Sequence, residues 1–77
     1  MQFDNTLPVK RFCLVMHGDE QIGVAWEWGG SNYAYTENDP DGATVYPGQN
    51  VSPKAQSSSL TFFKSLLAER GLSLKDE

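Results

Sequence analysis

Cys13 and His17 are the only thiol and the only imidazole in the chain, and a thiolate beside an imidazole is one way to build a nucleophile. Both lie in or beside VKRFCLVM, residues 9–16, whose alternation reads as an extended strand. Four strand residues hold two side chains about 13 Å apart, well outside hydrogen-bond reach. A buried structural cysteine and a solvated turn histidine are therefore expected. Zinc would need carboxylates besides, because neither CxxC nor HxxxH spacing is present. Glu37-Asn38-Asp39-Pro40-Asp41-Gly42 offers oxygen ligands of the kind a Ca²⁺ loop uses. An EF-hand loop closes with Glu at its twelfth position, and the twelfth residue counted from Asp39 is Asn50. The segment reads instead as a solvated type I turn. Gly29 and Gly30 belong to no GxGxxG or P-loop pattern. Ser57, Ser58 and Ser59 have no neighbouring base and no GxSxG elbow, and read as helix caps. The expectation is a non-enzyme with no metal and no cofactor.

What remains is aromatic. In residues 21–36, Ile22, Val24, Trp26 and Trp28 alternate with Gln21, Gly23, Ala25 and Glu27, as on a strand with one apolar face. Gly29-Gly30 supplies the two residues of a tight primed turn. The chain then returns through Tyr33 and Tyr35, alternating with Asn32, Ala34 and Thr36. A hairpin of this register gathers two Trp and two Tyr. They are either core, each ring burying about 150–250 Å², or in part a binding surface. In the second reading Trp28, Tyr33 and Tyr35 form an anchor near the Gly-Gly end. Glu27 and Glu37 rim it, and Asp39 and Asp41 extend the acidic border.

The elements that must position these residues follow from the same patterns. Residues 9–16 place Phe12, Leu14 and Met16 on one face, with Arg11, Cys13 and Val15 on the other. His17 to Glu20 is a turn by composition. Strands at 21–28 and 32–37 complete an antiparallel meander, favoured by short connections. Residues 43–46 are a candidate fourth strand, and 47–58 read as a long connecting loop rich in turn formers. A helix over 58–70 carries Leu60, Phe63 and Leu67 on one line, widened by Phe62 and Leu66 to an apolar arc of about 160°. Gly71 fits the position after its end, and Leu72 the residue that folds back on Leu67. The predicted fold class is α+β: an antiparallel three- to four-stranded β-meander packed on one C-terminal α-helix. One domain spans 1–77, with 1–8 a flexible N-terminus.

Composition narrows the function. A lone cysteine permits no internal disulfide. The net charge of −4 argues against direct nucleic-acid binding, which rests on clustered Lys and Arg. No apolar run approaches a membrane span and no signal peptide opens the chain, so a cytoplasmic protein is expected. The resulting expectation is a non-catalytic protein-binding module. Small acidic chains of this kind include inhibitors and accessory proteins of phages and mobile elements. Its partner would be a basic, nucleic-acid-handling protein met by Asp19, Glu20, Glu27, Glu37, Asp39 and Asp41. An uncovered sheet edge would permit a homodimer. The alternative is a small-ligand or carbohydrate binder using Trp26, Trp28, Tyr33 and Tyr35.

Overall fold

Alternating apolar and polar residues on either side of a short polar turn make β1 (Val9–His17) and β2 (Glu20–Trp28) an antiparallel hairpin. β3 (Asn32–Glu37), β4 (Lys54–Ser57), α1 (Leu60–Glu69) and β5 (Ser73–Lys75) follow. These elements come from a computed structural model that describes residues 9–47 and 54–77. The N-terminal segment 1–8 and residues 48–53 of the expected connection lie outside the described residues. The strands form one antiparallel sheet in the order β4-β3-β2-β1-β5. With one helix packed on it, the fold is α+β.

Among the described residues the sheet has five strands, one more than the upper expectation, and its edges lie elsewhere. Residues 43–46 form no strand; they are held to the sheet by a side-chain hydrogen bond from Thr36 to the Val45 carbonyl. The strand beside β3 is instead Lys54–Ser57, inside the stretch read as a loop. β5 pairs with the far edge of β1, Val15 opposite Leu74.

The register of the β2–β3 hairpin corrects the two-residue turn. Trp28 pairs with Asn32, so Gly29, Gly30 and Ser31 form a three-residue connection. Side chains alternate with period two along a strand, so the extra residue turns every β3 side chain to the opposite face. Tyr33 pairs with Glu27 and Tyr35 with Ala25, while Trp26 pairs with Ala34. The tyrosines and tryptophans therefore occupy opposite faces of the sheet.

Two bulges redistribute β1 and β2 in the same way. Arg11 pairs with Trp26 and Cys13 with Ala25, which leaves Phe12 as an extra residue on β1. Val15 pairs with Gly23 and Met16 with Gln21, which leaves Ile22 extra on β2. Phe12 thus joins Cys13 and Val15 beneath the helix, and Leu14 alone of the expected Phe12–Leu14–Met16 row packs on the other face with the tryptophans.

The result is a core on each side of the sheet. Beneath α1 lie Cys13, Val15, Ala25, Tyr35, Phe63 and Leu67. On the opposite face lie Val24, Trp26, Trp28 and Ala34, with Val9 and Leu14 against them. The Ser59 side chain caps α1 by accepting from the Phe62 amide. At the other end Leu72 N–H donates to Leu67 O at 2.8 Å and Gly71 N–H to Ala68 O at 3.0 Å. Gly71 sits at φ 72°, so this is the Schellman ending that its sequence position implies. Only the Phe63–Leu67 line of the helix is fully covered; Phe62 is exposed.

Candidate functional site

Trp28 ends β2 with its ring in the second core, only 4% exposed. Trp26 is 3% exposed, and its indole Nε1–H donates to Thr36 Oγ1 at 2.8 Å. The Thr36 hydroxyl then donates to Val45 O at 2.7 Å. This relay ties residues 38–47 across the face opposite the helix, where the exposed Tyr46 lays its ring 5.3 Å from that of Trp26. A buried indole N–H needs a partner, and Thr36 on β3 provides it.

The tyrosines belong to the helix side. Tyr35 is buried, and its hydroxyl accepts from Arg70 Nη1 at 3.2 Å. Tyr33 is half-buried, with its ring 5.4 Å from Phe12 and 6.0 Å from Phe63. Its hydroxyl is hydrogen-bonded to Glu27, which holds the phenol pKa above its ordinary value. Trp28, Tyr33 and Tyr35 are therefore not one surface: two are buried, and the sheet separates Trp28 from the tyrosines. The rim residues part company as well. Glu27 stays with Tyr33, whereas Glu37 pairs with Lys54 at 2.6 Å.

The acidic residues are gathered differently. Asp19 and Glu20 close the β1–β2 turn, where His17 pairs with Glu20. The loop after β3 returns to the same end of the sheet. Asn38 N–H donates to Ile22 O at 2.8 Å and its amide Nδ2 to Gln21 O at 3.3 Å. This ties the loop that begins after Glu37 to the start of β2, at the same end of the sheet as the β1–β2 turn that carries Asp19 and Glu20. Asp39 Oδ1 accepts from the Asp41 and Ala43 amides, each at 2.9 Å, so its carboxylate closes its own turn. Asp19, Glu20, Glu37 and Asp41 are exposed. Lys54, on Glu37, and Arg70, on the Tyr35 hydroxyl, are cations near this end. Among the described residues no group of three or more His, Cys, Asp or Glu is placed to hold a metal ion.

Cys13 is buried, and its thiol partner is Asp76, at 3.6 Å from Sγ to Oδ1. Burial first, and the Asp76 carboxylate second, push its pKa up. His17 stands four residues away at the exposed end of β1, near Gly71. Asp76 was not legible as a neighbour, because β5 brings it there and three residues carry no readable alternation. Beside Cys13 an open groove of about 480 Å³ separates α1 from β5, floored by Phe12, Leu67, Leu72 and Leu74. No helix among the described residues is long and apolar enough to cross a membrane. Comparison with protein-family models, with curated proteins and with solved structures finds no match to this chain.

Proposed function

We propose that this chain is a non-catalytic protein-binding module that docks on a basic patch of another protein through the acidic end of its sheet. The observation that carries the reading is the pair of Asn38 hydrogen bonds to Ile22 O and Gln21 O. They bring two loops distant in sequence, with Asp19 and Glu20 on one and Glu37, Asp39 and Asp41 on the other, to one end of the molecule. Exposed charges gathered in this way raise the rate of encounter with an oppositely charged surface and disfavour partners of like charge. A basic surface of the kind that handles nucleic acid is complementary to it, and covering that surface would inhibit its owner. The aromatic-face alternative loses its geometry, since both indoles are buried and the tyrosines face the helix.

The test reverses Asp19, Glu20 and Asp41 to Lys and leaves the self-bonded Asp39 in place. Proteins crosslinked to the wild-type chain in lysate at low salt should be lost by the triple variant, and lost by wild type as salt rises. Retention of the same proteins by a folded triple variant refutes the acidic surface. Their retention by wild type at high salt refutes the electrostatic mode.

A further inference from the structure

An open groove lies away from the acidic loops, between α1 and the β5–β1 edge. Its volume of about 480 Å³ falls within the ~300–1,000 Å³ typical of small-molecule sites. Phe12, Leu67, Leu72 and Leu74 make its floor apolar, and Phe12 is there only because of the bulge in β1. Two charged side chains line it. Asp76, from the strand side, already accepts the Cys13 thiol. Lys64, from the exposed face of the helix, forms no ion pair with any described residue, and its charge reaches the groove floor at Cys13. An apolar trough with an uncommitted ammonium at its rim is complementary to a molecule with an apolar tail and an anionic head.

We propose that the groove between α1 and β5 binds a small amphipathic carboxylate, its tail on Phe12, Leu67, Leu72 and Leu74 and its head on Lys64. The Asp76 carboxylate disfavours an anion placed on the β5 side, so the head lies toward the helix. Burial of the tail supplies most of the affinity, because apolar surface removed from water is the dominant favourable contribution. The exposed ion pair supplies the choice of head.

Octanoate, octanol and octylamine share one chain and differ in the head, so they separate the two contributions. Titrations followed by the methyl NMR signals of Leu72 and Leu74 should show binding in the order octanoate, octanol, octylamine. Lys64→Gln should weaken octanoate about two- to fivefold, the range of an exposed ion pair, and leave octanol unchanged. Ala68→Trp, which places a large ring in the groove from the helix side, should abolish the shifts for all three. Three results overturn the site: no saturable methyl shift with octanoate, octylamine binding as tightly as octanoate, or equal octanoate affinity in Lys64→Gln. The Lys64 variant alters only an exposed side chain, so the test stands even if Ala68→Trp fails to fold.

Discussion

Replacing Thr36 with Val keeps the shape of a fully packed side chain and removes one hydroxyl that makes two hydrogen bonds. The Trp26 Nε1–H is then left without its partner in a site where Trp26 and Thr36 are each 3% exposed. A buried donor stranded in this way costs about 1–3 kcal/mol. Val45 is half-buried and its carbonyl can turn to water, so the indole carries most of the loss. A destabilisation of about 2 kcal/mol follows, or about 8–16 °C in Tm for a domain of this size. Urea denaturation followed by far-UV circular dichroism should show the midpoint fall with little change in slope. The decisive comparison is made on a Trp26→Phe background, which has no indole N–H to strand. There Thr36→Val should cost less by at least about 1 kcal/mol, within the range of coupling between contacting residues. An equal cost in both backgrounds, or a cost below about 0.5 kcal/mol for the single change, would refute the relay as a source of stability.

Trp28→Ala should cost about 3–5 kcal/mol, because the ring is buried in the second core; near-wild-type urea stability would restore Trp28 to the surface. Gly23→Ala should destabilise severely, since a Cβ there would stand 2.2 Å from the Thr36 carbonyl oxygen on the paired strand; a normal denaturation curve would contradict the β2–β3 register. Cys13 should react slowly with a thiol reagent in the native state and quickly in urea. Its folded pKa is raised, so the stability gained by keeping the thiol protonated is complete below the ordinary thiol range. It is lost as pH rises through the higher folded value. A wild-type stability lead over Cys13→Ala that grows between pH 8 and 10 would run against that sign.

The first three strands and the helix were legible because their alternation or helical spacing runs over many residues. The expected 9–16, 21–28, 32–37 and 58–70 correspond to Val9–His17, Glu20–Trp28, Asn32–Glu37 and Leu60–Glu69. The Schellman ending was legible too, since Gly71 and Leu72 stand at the required offsets. Faces were not. One added turn residue, Ser31, and two bulges, at Phe12 and Ile22, each reverse an alternation without altering the strand residues themselves. β4 escaped because Lys54-Ala55-Gln56-Ser57 has no apolar alternation, and Ala55 takes a φ of 51° that its side chain does not advertise. β5 is too short for a pattern. The candidate site followed the faces. The acidic residues were readable as loop residues, but their gathering at one end depends on Asn38, whose backbone and side-chain bonds no spacing rule foretells.

The pairing of β5 with β1 also sets an order of assembly. β1 meets β2 across a tight turn, whereas Val15 meets Leu74 only after about sixty residues of intervening chain. At roughly 0.6 kcal/mol for each doubling of loop length, closing the second contact costs about 3 kcal/mol more chain entropy than closing the first. The meander therefore collapses early, and β5 docks after the helix has formed and delivered it. Until then Leu14, Val15 and Met16 present a bare strand edge in a partly ordered chain. A second molecule in the same condition can pair there before β5 arrives. Refolding yield should accordingly fall as protein concentration rises, while the folded chain, with β5 in place, keeps that edge closed.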